Sequence, residues 1–169
     1  MNDNHRGPII VVGVGSLVRS DDGAGLKALH RLEKDSRLPP GVELIDGSIL
    51  GMDIIALVQN AARLLFLDAV DAGVEPGTVV RLEGEEILRL PSGTSAHDIG
   101  ISGLLSLLQF LGNMPERIAL IGIQPATSET GVWLSPEVEA GIGKMVTESI
   151  RLLTEWFEAG LVEAAQASS

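Results

Sequence analysis

The sequence predicts a single-domain α/β protein built on a mostly parallel sheet with an antiparallel edge strand. Three observations carry that expectation. Short apolar runs rich in β-branched residues recur without alternation, the pattern of strands buried on both faces. Stretches with helical spacing lie between them, so strand and helix alternate as in βαβ units. One pair of strand-like runs is separated only by a Gly/Pro turn, too short for the crossover that parallel neighbours require.

The elements follow in order. Residues 8–14, PIIVVGV, read as the first strand and 23–34 as an amphipathic helix. A second strand over 42–46 leads to a helix over 51–59 and a third strand over 63–69. The next run, 78–83, follows the turn VDAGVEPG and is expected either to form a hairpin or to pair antiparallel at an edge. Beyond a Ser/Gly/Thr loop at 91–95, residues 101–111 read as a helix and 117–123 as another buried strand. A long amphipathic helix over about 136–159 closes the domain, its first turns weakened by Gly141 and Gly143. Residues 1–7 and the small, polar tail 162–169 are expected to be flexible.

Composition narrows the function classes. A chain of 169 residues buries a real core without covalent staples. It has no cysteine, which excludes disulfides, thiolate nucleophiles and cysteine-held metals, so any metal must meet carboxylates and histidine. The formal net charge of −11 argues against a nucleic-acid partner, and an aromatic content of 3% argues against a stacking platform for bases. No apolar run is long enough to span a bilayer. The amino-terminal MNDNHRGP lacks a signal-peptide pattern, so a cytoplasmic location is expected, and a domain of this size is expected to be a monomer.

The chemistry concentrates where strands end. The stretch GVGSLVRSDDGAG places Asp21 and Asp22 at the carboxyl end of the first strand, where open parallel sheets bind ligands. One aspartate would suffice to cap the following helix; a second beside it suggests a shared cation or proton. Asp68 ends the third strand after four apolar residues and is expected to be poorly solvated, calling for a cation or hydrogen-bond donors. Asp46 and Gly47 form the turn after the second strand. His97 lies in the loop GTSAHDIG before a helix, whereas His5 is near the amino terminus and His30 is expected on the solvated side of the first helix. Asp22, Asp68 and His97 together would make a three-ligand site for a borderline divalent metal with positions left open.

Competing chemistries find less support. Val18 stands where a dinucleotide fingerprint needs its third glycine, and the aspartate pair would repel a pyrophosphate. Neither a P-loop nor a GxSxG elbow is present, and Ser48, Ser95 and Ser102 occupy ordinary loop contexts.

Taken together and in order, GVGSLVRSDDGAG, DGSILG, FLDAVDAG, SAHDIGISGLL and LIGIQP resemble the hydrogenase maturation endopeptidases. These enzymes trim the carboxyl-terminal extension from the nickel-loaded large subunit of nickel-iron hydrogenases. The resemblance runs through nearly the whole chain. It implies a three-layer α/β/α fold with a twisted sheet and a metal-contacting set of Asp22, Asp68 and His97, which would also be the catalytic residues. Ser16 stands where the family often has asparagine, and Asp22 where some members carry the longer glutamate. The resemblance also implies that the nickel belongs to the precursor and signals completed insertion, so that no permanently bound cofactor is expected. Asp46 and Gly47 would help seat the substrate, and the acidic balance would suit a basic stretch flanking the cut. A different class of function, a non-catalytic protein that senses the nickel site or chaperones the precursor, would use the same three residues. A nucleotide-binding α/β module is the weaker third reading.

Overall fold

The computed structural model describes residues 7–48, 53–90 and 100–169. Five strands form one sheet: β1 (Ile9–Val14), β2 (Glu43–Gly47), β3 (Arg63–Ala69), β4 (Val79–Glu83) and β5 (Arg117–Ile123). Their order across the sheet is β2-β1-β3-β5-β4. All neighbours run parallel except β4, which pairs antiparallel with β5 at the edge. The run over 78–83 is therefore an edge strand rather than the second arm of a hairpin with β3. Its ladder is set by pairings such as Val80 with Gly122 and Leu82 with Leu120.

The helices cover both faces and make three layers. A 3-10 turn (Ser20–Gly23) leads into α1 (Ala24–Glu33), which packs with α5 (Pro136–Ala167) on one side. On the other lie α2 (Asp53–Val58), the four-residue α3 (Glu85–Leu88) and α4 (Gly100–Phe110). The two-residue period of β1 divides its side chains between these layers: Val11 joins the α1/α5 core, while Ile10 and Val12 join the α2/α4 core. Burial on both faces explains why β1, β3 and β5 read as continuous apolar runs, whereas β2 and β4, at the edges, carry charged residues. Phe66, fully buried in the middle strand, contributes about 1.5–3 kcal/mol by removal from water. The short α3 was not anticipated; Glu85 and Glu86 occupy its first turn, where the helix dipole favours acids.

The last helix does not stop near residue 159 but continues to Ala167. The segment VEAAQA holds only strong helix formers or neutral residues and no proline. A specific tie also holds it. Arg63, buried at the start of β3, donates from Nη1 to the Trp156 carbonyl at 2.8 Å and pairs through Nη2 with Glu163 at 2.8 Å. Gly160 makes room for this guanidinium, since a Cβ there would stand 2.8 Å from Arg63 Nη1. At the other end of α5, Ser135 is the N-cap and Pro136 follows it as the first helical residue.

Candidate active site

The sheet order places a topological switch point between β1 and β3, because the chain passes from β1 outward to β2 and then returns to the other side. A crevice for ligand opens at the carboxyl ends of strands at such a point. Asp22 follows β1 and Asp68 lies in the last turn of pairing of β3, directly after Leu67, whose partner is Gly13. Glycine seats the start of the helix on the two strand ends. Gly25 begins α1 so close to the sheet that a Cβ would lie 2.1 Å from the Leu67 carbonyl oxygen and 2.6 Å from that of Val14. Only a residue without a side chain lets the helix start sit on both strand ends.

The turn itself is folded around Asp22. Gly15 adopts φ +119°, and a Cβ on it would fall 1.8 Å from the Asp22 carbonyl oxygen. The Ser16 amide donates to Asp22 Oδ2 at 3.0 Å, which fixes the half-buried carboxylate. The glycines of GVGS are thus filled by the protein's own turn, and the approach a pyrophosphate would need is taken by the Asp22 backbone.

Asp21 and Asp22 do not share a cation or a proton. Asp21 is fully buried and turns toward the β5–α5 loop, where its Oδ2 accepts from the Ala126 amide (2.8 Å), the Thr127 amide (3.1 Å) and the Ser135 hydroxyl (2.8 Å). Its Oδ1 accepts from the Ser135 amide at 2.7 Å. Burial pushes the Asp21 carboxyl up, but the Ser135 and Ala126 amides, the Ser135 hydroxyl and the Thr127 amide outweigh it and hold the group below its ordinary value. Neither aspartate caps α1, whose N-cap is Gly23 without a side-chain hydrogen bond. Asp21 acts instead at the start of α5, through the residue that caps it, because Ser135 Oγ also accepts from the Val138 amide.

Asp68 is half-buried rather than shut away from water, since the strand ends one residue later and the sheet's cover ends with it. Its Oδ1 accepts from the Ala69 amide at 2.8 Å. The loop that follows is set by a residue that sequence reasoning did not single out. Gln124, buried just past β5, accepts from the Ala72 amide at 2.8 Å and donates to Asp71 Oδ1 at 3.2 Å. Gln124 thereby fixes the loop that follows Asp68. The signal for Ser135 was present in the sequence, as Ser-Pro-Glu before an apolar run is a helix-start signature.

Asp46 is exposed at the same edge of the sheet, one strand outward from β1, and its Oδ1 accepts from the Ser48 amide at 2.9 Å. Gly47 is buried, with space for no more than a hydrogen between Val12, Gly13 and Ile54. His30 is exposed on α1. His97 lies outside the described residues. Among the described residues no group of three metal-ligating side chains assembles.

Comparison with known proteins identifies the family. Residues 26–152 match the family model described as hydrogenase maturation protease. The chain is 33% identical over 149 residues to the hydrogenase 2 maturation protease of Escherichia coli, covering 87% of this chain and 91% of that one. It is 33% identical over 151 residues to the hydrogenase expression/formation protein HupD of Rhizobium leguminosarum, covering 88% of this chain and 75% of the relative. Among solved structures, the hydrogenase maturating endopeptidase HybD of Escherichia coli superposes with a TM-score of 0.81 at 33% identity, covering 88% of this chain and 93% of HybD. The maturation protease HybD of Thermococcus kodakarensis aligns with a TM-score of 0.62 at 28% identity, over 86% of this chain and 99% of that one.

Proposed function

The chain belongs to the hydrogenase maturation protease family and is a peptidase, and we propose that it removes the carboxyl-terminal extension of a nickel-iron hydrogenase large-subunit precursor once nickel is in place. The observation that carries this reading is the convergence of the Asp22 turn and the Asp68 strand end at the switch point.

Nickel is part of the substrate in this reading, and Asp22, Asp68 and His97 are the residues that meet it. The donor set suits a borderline cation, with two carboxylates and one imidazole. Ser16 holds Asp22 Oδ2, and Oδ1 would be the oxygen that meets an incoming ligand. Nickel met by Asp22, Asp68 and His97 would polarise the scissile carbonyl. A carboxylate of the pair takes a proton from water as the water oxygen bonds to the carbonyl carbon. The C–N bond then breaks and the proton passes to the leaving amine. Asp46, exposed at the edge, seats the precursor chain, and Gly47 lets its turn lie close on β1.

We further read the protein as a cytoplasmic monomer that requires neither nucleic acid nor membrane. No helix among the described residues is long and apolar enough to cross a membrane.

The test is the mass of the cognate precursor after incubation with the wild type and with Asp22→Ala, Asp68→Asn and His97→Ala. The wild type releases a single carboxyl-terminal peptide; each variant slows release by about 10²-fold or more, the usual scale of lost acid-base catalysis. Wild-type rates for Asp68→Asn across the pH range would remove Asp68 as base and as essential ligand. A precursor bound but uncut by the wild type would replace the peptidase with a protein that senses the nickel site.

A further inference from the structure

Beside the Asp22 turn lies an apolar surface that the fold does not use. Leu17 and Val18 are 38% and 58% exposed, and Val132 and Trp133 are 72% and 49% exposed. The first pair comes from the turn after β1 and the second from the loop between β5 and α5, and the two segments are joined. The Gly131 amide donates to the Val18 carbonyl at 2.9 Å, and the Ser20 amide donates to the Gly131 carbonyl at 2.8 Å. A Cβ on Gly131 would stand 2.5 Å from Trp133 Nε1, so the indole lies across that glycine. Lys27 ties the far side by donating to the Val132 carbonyl at 3.3 Å.

From this we infer that Leu17, Val18, Val132 and Trp133 form the platform on which an apolar segment of the precursor, flanking the cut, is held. The inference rests on the peptidase reading and deepens it. Three features select this occupant. The platform is continuous with the substrate site, because residues 16–22 carry both Leu17 and Val18 and the carboxylate of Asp22. It is fixed before binding, because Asp21 and Ser20 pin both loops with hydrogen bonds to residues 126–135, so little ordering entropy is lost on docking. Its central backbone groups already pair with each other across the two loops, so it grips a chain through side chains rather than by adding a strand. An exposed tryptophan beside aliphatic groups is the composition of a binding hot spot.

The chain reports on this surface by itself. It has two tryptophans, of which Trp156 is 2% exposed and Trp133 is open to solvent. Acrylamide quenching therefore reads Trp133 when the precursor is prepared with non-fluorescent 4-fluorotryptophan, so that its own indoles are silent. Nickel-loaded cognate precursor is expected to shield it from quencher. The double variant Val132→Ser/Trp133→Ala is expected to raise KM about tenfold or more with kcat within about twofold, the pattern of lost uniform binding. Trp133→Phe should recover most of the loss, and the far-UV circular dichroism of the double variant should match that of the wild type. An unchanged KM in the double variant, or a Trp133 as quenchable with precursor as without, would overturn the platform while leaving the peptidase intact. If the wild type leaves the precursor uncut, the peptidase reading falls, and the quenching experiment still decides whether the platform holds that precursor.

Discussion

The buried Asp21 carboxylate accepts both the amide and the hydroxyl of Ser135, at 2.7 and 2.8 Å. This relationship links two ends of the molecule. It ties the turn that presents Asp22 to the first residues of α5, so the position of a proposed substrate-contacting carboxylate depends on its hidden neighbour. Asp21→Asn keeps the size of the side chain but turns one acceptor into a donor facing the Ala126 and Thr127 amides. The expected cost is about 2–4 kcal/mol, from lost charge-assisted bonds and unsatisfied buried donors. Urea unfolding with an unchanged m-value measures it. Ser135→Ala, which removes only the hydroxyl, should cost about 1 kcal/mol, the usual scale of an N-cap.

Acid should expose the same bond set. Because the Asp21 pKa is lowered in the folded state, its stabilisation is fully present above the ordinary aspartate value and is lost as pH falls through the lower folded value. Asp35, held at about 2 chiefly by the Arg37 side chain, titrates in the same direction and serves as an internal reference common to both proteins. The stability gap between wild type and Asp21→Asn should therefore shrink as pH falls below about 4. A gap constant from pH 7 to pH 2 would show that the fold leaves the Asp21 pKa unshifted, and a wild type that gains on the variant toward acid would show that burial raises it.

Two glycines in α5 have opposite expected responses to alanine. Gly143 is exposed with open space around its missing Cβ, and Gly143→Ala should stabilise by about 0.5–1 kcal/mol through helix propensity. A Cβ on Gly141 would stand 2.5 Å from Ile123 Cδ1 and 2.6 Å from the Gly77 carbonyl oxygen. Gly141→Ala should destabilise by about 1–3 kcal/mol, the range for overpacking. Thermal midpoints of the two variants, moving in opposite directions from the wild type, check both.

The sheet was legible because its strands are apolar runs bounded by glycine, proline and charge, and because burial on both faces removes alternation. Asp22 and Asp68 stood out in the sequence because one lies in the turn that follows such a run and the other ends one. The division of labour between Asp21 and Asp22 was not, since the groups that claim Asp21 come from residues 126–135, more than a hundred positions away. The same limit applied to β4: local sequence disfavours a crossover helix before it but does not say that its partner is β5 rather than β3. Gln124 and Arg63 act through long-range contacts to Ala72 and Glu163, which no local pattern announces. The half-burial of Asp68 depended on where the sheet's cover ends, a property of the packed helices rather than of the strand.

The central claim is a peptidase whose substrate is recognised by the metal it carries. The most direct test is mass spectrometry of the cognate large-subunit precursor, nickel-loaded and nickel-free, incubated with the wild-type chain. The account predicts loss of one carboxyl-terminal peptide from the nickel-loaded form alone. Equal cleavage of both forms would contradict the role given to nickel, and cleavage of neither would contradict the assigned reaction.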